Sequence, residues 1–215
     1  MAGATALLLL GSCGGKKQGD NAAQERLNNP EGPVLQVEQD STLYGMCRQG
    51  TDTKTLKFVS DMGEFYSLDM TSARRVGQVF GEVHVGDRLA VVLNADSTAV
   101  TRCVNISTLM GDWVQISAFD GSSEIGMRIK EGGIVEGIDQ SDIIYQTWRV
   151  YNSYIELHWQ REGGGQEEEM GVYTLLHLSP DSLSYRDAED IYEYNRPHPV
   201  EDMGVHAEDF GESIF

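Results

Sequence analysis

Leu109-Met110-Gly111-Asp112-Trp113-Val114-Gln115-Ile116 is the stretch around which this chain is organised. It opens a run of short, strand-like segments that continues to about residue 196, with Gly, Asn, Asp and Pro turns between them. A smaller strand-rich unit precedes it. The sequence therefore predicts an all-β protein with two separate domains, one over residues 35–107 and one over residues 108–196.

Composition and charge limit the classes of partner. The chain has 215 residues, of which 40% are hydrophobic, so it has enough apolar side chains for a substantial core. Its 34 acidic residues against 16 basic ones give a formal net charge of -18. A surface of that sign repels the nucleic-acid backbone and anionic lipid headgroups, and we therefore expect no nucleic-acid partner.

The second unit shows the clearer strand pattern. Residues 124–130 alternate between apolar and charged side chains, and Gly132-Gly133 then forms a turn into residues 134–138. The eight predicted strands cover residues 111–116, 124–130, 134–138, 143–151, 154–160, 168–178, 182–185 and 191–194. Eight antiparallel strands are the number at which a barrel can close around side chains or one small ligand.

The hairpin at Asn152-Ser153 gives the most specific prediction in this unit. A two-residue turn places Tyr151 opposite Tyr154, and so it places Arg149 opposite Glu156 on a charged, exposed face. The opposite face is apolar and consists of Trp148, Val150, Ile155, Leu157 and Trp159. These five residues are the predicted binding surface for a small, apolar or lipid-like ligand if the barrel is open, and they are core residues if it is filled.

Gly111 and Trp113 at the start of the second unit and Arg196 at its end form a short motif. A Gly-x-Trp that opens a strand and is followed by a long antiparallel meander resembles the start of a lipocalin-like barrel. The resemblance covers the whole second unit and implies a fold that surrounds a cavity or a packed apolar interior. It also implies that Arg196 packs across Trp113.

The first unit contains five predicted strands, at residues 43–47, 55–59, 64–68, 88–93 and 99–104. Residues 71–86 between them show a less regular pattern. Five short strands with one irregular crossover resemble a small OB-like barrel. Many such barrels bind single-stranded nucleic acid through a basic stripe with interleaved aromatic residues, and no such stripe is present here.

Two cysteines belong to the first unit, Cys47 at the end of its first strand and Cys103 on its last. If these strands are neighbours in a closed barrel, a disulfide between the two is one outcome, because an oxidising cell envelope permits it. The alternative is two separate buried thiols, which are common in protein cores.

The N-terminus carries a targeting motif. Leu10-Gly11-Ser12-Cys13 follows an apolar run too short to span a bilayer and matches a bacterial lipobox, so residues 1–12 are a predicted signal peptide and Cys13 the predicted lipidated residue. No basic residue precedes Cys13, and we therefore expect the true start upstream. The alternative is an unprocessed apolar N-terminus.

Residues 13–34 are polar and rich in Gly, Asn and Pro, which is typical of a flexible tether. A lipid anchor, such a tether and a compact β domain together resemble the lipocalin-like lipoproteins of Bacteroidetes. This resemblance implies an outer-membrane lipoprotein that faces the periplasm or the cell surface and contacts the membrane through its anchor. Residues 197–215 are a predicted acidic tail.

No catalytic or metal-binding constellation is apparent. The five histidines, His84, His158, His177, His198 and His206, fall in separate elements. The spacings of a metal pair, a nucleophile elbow or a redox dithiol do not occur. We therefore expect no metal, no cofactor and no enzymatic activity. The sequence favours a binding module for a small or lipid-like apolar ligand, and the alternative is a structural or interaction module with a filled core.

Overall fold

The computed structural model describes residues 39–139, 142–164 and 167–197. The signal peptide 1–12, the tether 13–34 with Cys13, and the tail after Pro197 lie outside these ranges, so the predictions for them stay predictions. Strands dominate the rest, and the fold is all-β apart from short helical turns. In the described ranges no helix combines the length and the apolarity needed to cross a membrane.

The first sheet has six strands. They are β1 (Leu43–Cys47), β2 (Thr55–Ser60), β3 (Phe65–Asp69), β4 (Val79–Phe80), β5 (Arg88–Leu93) and β6 (Val100–Asn105). Their order across the sheet is β3-β2-β1-β5-β6-β4, and β4 runs parallel to β6 while the other pairs are antiparallel. All five predicted strands are present. The helix α1 (Thr71–Arg75) and β4 were not predicted, because elements of five and two residues are too short to show a period.

Cys47 and Cys103 are both buried in the core of the first sheet, and both are free thiols. Strand β5 lies between β1 and β6, so the two cysteines are not on neighbouring strands. Cys103 pairs with Val91, and Val91 pairs with Leu43, four positions from Cys47. Two strand spacings of about 4.8 Å already exceed the separation of about 4.4–6.8 Å between Cα atoms that a disulfide allows. The strand pairing therefore agrees with two separate buried thiols and not with a disulfide between them.

The second sheet has eight strands. They are β7 (Gly111–Ile116), β8 (Glu124–Ile129), β9 (Val135–Ile138), β10 (Ile143–Tyr151), β11 (Tyr154–Arg161), β12 (Glu168–Leu178), β13 (Ser182–Arg186) and β14 (Ile191–Asn195). All are antiparallel, in the order β10-β11-β12-β13-β14-β7-β8-β9. The first strand pairs with the last through Val114 and Asn195, and a single bridge between Ile134 and Thr147 joins the two remaining edges. The predicted eight-stranded antiparallel barrel is therefore present and nearly closed.

The register of the β10–β11 hairpin is confirmed. Tyr151 pairs with Tyr154 and Arg149 pairs with Glu156, and both turn residues have positive φ, 46° at Asn152 and 71° at Ser153, as a tight hairpin turn requires. The charged face differs from the prediction in one respect. The Arg149 side chain is 53% exposed, but the Glu156 side chain is only 7% exposed because Arg149 and neighbouring side chains cover it.

The barrel interior is filled by one apolar cluster, which includes Trp113, Met127, Leu157, Leu183 and Tyr185. Residues of the first sheet and of helix α2 (Ile106–Leu109) belong to the same cluster, namely Phe80, Ala90, Val104, Ile106 and Leu109. Both sheets lie in one compact unit of the chain. Independent folding of the two predicted domains, and the OB-like character of the first, stay predictions.

Candidate functional site

The five residues of the predicted ligand-binding face all lie on the inner side of the β10–β11 hairpin. Four of them, Trp148, Val150, Ile155 and Leu157, are buried in the barrel cluster, and Trp159 is half-buried against it. They therefore pack against each other and against the barrel core. Trp148 also reaches a groove outside the barrel, and ligand binding by the face as a whole stays a prediction.

This groove lies between the two sheets and has a volume of about 540 Å³. We call it the inter-sheet groove. It is lined by Tyr44, Asp61, Arg88, Ile106, Met110, Glu131, Gly132, Gly133, Trp148 and Arg149. The volume is within the range of about 300–1,000 Å³ that is usual for small-molecule sites.

The groove follows from the incomplete closure of the barrel. Strands β9 and β10 are joined only by the Ile134–Thr147 bridge, so beyond it the edge of β10 that faces away from β11 has no neighbouring strand. The Tyr44 hydroxyl of β1 takes that place, donating to the Val150 carbonyl oxygen at 2.6 Å and accepting from the Val150 N–H at 3.1 Å. One side chain of the first sheet thus satisfies both backbone groups of an edge residue, as buried backbone requires.

The floor of the groove is apolar. Ile106 is buried and Met110 half-buried, and both come from the link between the two sheets. Trp148 forms the adjoining wall, and its orientation is fixed because its Nε1–H donates to the Lys130 carbonyl at 2.8 Å. Next to the Trp148 backbone the chain turns at Gly132 and Gly133, with φ of 74° and 78°, a conformation that favours glycine.

Charged side chains form the rim, and most are paired. Arg88 donates to both carboxylate oxygens of Asp61, at 3.0 and 2.6 Å, and this contact lowers the pKa of Asp61. Arg149 binds both carboxylate oxygens of Glu156, at 2.7 and 2.9 Å. Glu131 is exposed on the same rim and forms no ion pair or hydrogen bond through its carboxylate with any described residue.

His158 extends the Arg149–Glu156 pair along the outer wall of the barrel. Its Nε2 lies 3.0 Å from Glu156 Oε1 and its Nδ1 lies 2.9 Å from Glu168 Oε1. Each ring nitrogen of His158 faces a carboxylate, and both nitrogens can donate only when the ring is doubly protonated. The contact with Glu156, and to a smaller extent that with Glu168, therefore raises the pKa of His158. Hydrogen bonds from Arg149, followed by His158, lower the pKa of Glu156.

Five tyrosines form a second polar feature inside the barrel, namely Tyr145, Tyr173, Tyr185, Tyr192 and Tyr194. The Tyr185 hydroxyl donates to that of Tyr194 at 3.3 Å, and their rings stack at 5.6 Å between centroids. Burial raises the pKa of Tyr173 to about 12. These hydroxyls therefore stay protonated at neutral pH and act as neutral hydrogen-bonding groups.

Metal binding has no support in the residues that the structure describes, since no three His, Cys, Asp or Glu side chains there form a group suited to an ion. The inter-sheet groove itself was not predicted from the sequence. Its residues lie up to about 100 positions apart. Trp148 and Arg149 were predicted on the two faces of the hairpin and Gly132-Gly133 as a turn, but no sequence signal brought them together with Tyr44 and Arg88.

Comparison with known proteins concerns the second half of the chain. Residues 105–197 match a family described as lipocalin-like. The chain is similar to the crystal structure of a lipocalin-like protein from Bacteroides thetaiotaomicron VPI-5482, with 21% identity over 42% of this chain and 97% of that chain and a TM-score of 0.39. No curated protein matches the sequence. The family match and the strand order agree that the eight-stranded barrel is lipocalin-like.

Proposed function

We propose that this protein is a lipid-anchored binding module of the cell envelope that holds a small amphipathic molecule in the inter-sheet groove. The observation that carries the proposal is the groove of about 540 Å³, with an apolar floor at Ile106, Met110 and Trp148 and a charged rim. Sites of this kind bind a ligand through apolar contact and orient it through a few polar groups.

The barrel interior is filled with side chains, and we therefore place the ligand in the groove and not inside the barrel. Trp113, Met127 and Leu157 occupy the space that a ligand would need inside. A ligand can enter the groove without displacing a core side chain, because the groove is already open beside Trp148. A purely apolar ligand fits it less well than an amphipathic one, since its rim carries Arg88, Asp61 and Glu131.

The envelope location rests on the sequence of the N-terminus. Leu10-Gly11-Ser12-Cys13 predicts lipidation at Cys13, and the resemblance to Bacteroidetes lipoproteins implies that the anchor lies in the outer membrane. Labelled palmitate should be incorporated by the wild-type protein and not by Cys13→Ala, which should be released from the membrane fraction. Equal labelling of both proteins would refute the lipid anchor without bearing on the groove.

Ligand binding is tested by filling the groove. Met110→Trp places a larger side chain in the floor, and it should abolish the enhanced fluorescence of a nonionic amphipathic dye. The matched control is Met62→Trp, because Met62 is 86% exposed and lies outside the groove. Circular dichroism should show that both variants remain folded. Dye binding that is unchanged in a folded Met110→Trp protein would exclude the groove as the site.

The alternative function is a structural or interaction module that holds no ligand. The observation that favours it is the filled barrel, in which Trp113 and Trp148 act as packing residues. In that case neither the wild type nor Met62→Trp should bind the dye at all. We also propose no catalytic activity, as expected from the sequence.

A further inference from the structure

We propose that the inter-sheet groove selects cationic amphiphiles, that is, molecules with an apolar chain and an ammonium group. This rests on the proposed function and adds the charge of the ligand. The inference is drawn from the way in which the charges around the groove are paired.

The two arginines of the rim are already matched by carboxylates. Arg88 is held bidentately by Asp61, and Arg149 is held bidentately by Glu156. Bidentate pairs of this type are among the stronger hydrogen-bonded contacts in proteins. An anionic ligand would have to share an arginine with a carboxylate that already neutralises its charge, and displacing the carboxylate at Arg149 would leave the buried Glu156 without its main partner. The paired arginines therefore attract an anion less strongly than free arginines would.

Glu131 is the charged residue of the rim that forms no side-chain hydrogen bond or close ion pair with a described residue; its carboxylate interacts with Arg88 only at longer range, and Arg88 is held first by Asp61. It is exposed at the groove, at the turn that precedes β9, and no cationic side chain forms an ion pair with it. A ligand ammonium at this position would gain a carboxylate partner without breaking an existing pair. An anionic headgroup at the same position would be repelled by Glu131 directly, while the charge of Asp61 offsets the attraction of Arg88.

The apolar part of such a ligand has a defined surface to cover. Ile106 and Met110 form the floor, and the Trp148 ring lies beside them with its orientation fixed by the Lys130 carbonyl. A chain packed on this floor can direct its ammonium toward the rim at Glu131. Aromatic rings at a site of this kind also favour a cation over an anion.

The probes are three molecules with the same eight-carbon chain and different headgroups, namely octylammonium, 1-octanol and octanoate. Titration calorimetry with the full chain should give the tightest binding for octylammonium and the weakest for octanoate. Because the contact with Glu131 is exposed, added NaCl should weaken binding of octylammonium and leave that of 1-octanol unchanged.

The variant Glu131→Gln should weaken binding of octylammonium about two- to fivefold, as expected for loss of one exposed ion pair, without affecting 1-octanol. The control is Glu189→Gln, which removes the same charge from an exposed turn outside the groove and should leave all three affinities unchanged. Equal binding of the three probes, or no effect of Glu131→Gln, would overturn cation selection and leave the proposed function standing. Binding of none of the probes would overturn both.

Discussion

The guanidinium carbon of Arg196 lies 3.7 Å from the ring centroid of Trp113, so the last residue of the barrel motif covers the first tryptophan. Arg196 also donates to the carbonyl oxygens of Thr108, Met110, Asp112 and Pro180, at 2.7–3.2 Å. Gly111 makes this possible, because a Cβ there would lie 2.3 Å from Arg196 Nη1. The sequence motif Gly-x-Trp with a late Arg therefore corresponds to one physical contact.

Replacement of Arg196 by Met should destabilise the protein by about 1–3 kcal/mol, because four carbonyl groups lose a charged donor at once. Arg196→Lys should recover only part of this, since an ammonium cannot lie flat on the Trp113 ring and reach all four carbonyls. Urea denaturation measures both effects. Arg186→Met, at an exposed arginine of β13, is the control and should change the unfolding free energy by less than about 0.5 kcal/mol.

Removal of the Tyr44 hydroxyl should weaken the contact between the first sheet and the barrel. In Tyr44→Phe the N–H and C=O of Val150 lose their shared partner, and we expect a cost of about 1–3 kcal/mol, at the lower end if water enters from the groove. Hydrogen exchange at the Val150 amide should also be faster in this variant than in the wild type. The control is Tyr66→Phe, which removes an exposed hydroxyl bound to Glu64 and should change neither the stability nor the exchange rate at Val150. An unchanged exchange rate at Val150 in Tyr44→Phe would show that the contact carries no stability.

The His158 contacts should make stability depend on pH. The folded-state pKa of His158 is raised, chiefly by Glu156. Its contribution to the free energy of unfolding is therefore complete below the unfolded-state pKa of about 6.5, and it is lost as the pH rises through the folded-state pKa. The pKa of Glu156 is lowered, chiefly by Arg149. Its contribution to the free energy of unfolding is therefore present above the unfolded-state pKa, and it is lost as the pH falls through the folded-state pKa.

We therefore expect wild type to exceed His158→Gln in unfolding free energy near pH 6, by a margin that shrinks as the pH is raised. Urea unfolding at a series of pH values gives this margin. His177→Gln, at an exposed histidine of the neighbouring strand β12, is the control and should follow the wild type throughout. A margin for His158→Gln that is constant with pH would mean that the ring is not charged in the folded protein.

Apart from the Arg196–Trp113 contact, which the lipocalin-like resemblance implied, the features that could be predicted from the sequence are those set by local alternation. The β10–β11 register, for instance, follows from a two-residue turn and from the apolar positions on either side of it. The burial of Glu156 and the groove at Tyr44 were not predictable in this way. The groove depends on a contact between Tyr44 and Val150 across more than 100 residues, which leaves no period in the sequence. The burial of Glu156 depends on how the Arg149 and His158 side chains fold over it, which alternation alone does not specify.

Independent folding of the second domain can be tested with a fragment that begins at Thr108. Its own strands close the barrel, so we expect strand content by circular dichroism. The fragment lacks Phe80, Ala90 and Val104, which belong to the barrel cluster, and it should therefore unfold at a lower urea concentration than the full chain. A fragment that is wholly unfolded where the full chain folds would contradict two separate domains.

The last prediction concerns Trp148, where the barrel core and the groove meet. Its side chain is 7% exposed and belongs to the apolar cluster, so Trp148→Ala should cost about 3–5 kcal/mol as a core truncation. Trp148→Phe keeps most of the apolar surface but loses the hydrogen bond to Lys130 and part of the ring, and a cost of about 1–3 kcal/mol is expected.

The same two variants separate packing from binding. If Trp148 also holds the ligand, Trp148→Phe should weaken binding of 1-octanol at a ligand concentration where the variant is fully folded. If the ring serves packing alone, stability falls in both variants while the affinity of Trp148→Phe equals that of the wild type. A Trp148→Ala protein with unchanged stability and unchanged probe binding would contradict both roles, because a tryptophan buried in the barrel cluster and lining the groove cannot be removed without affecting one of them.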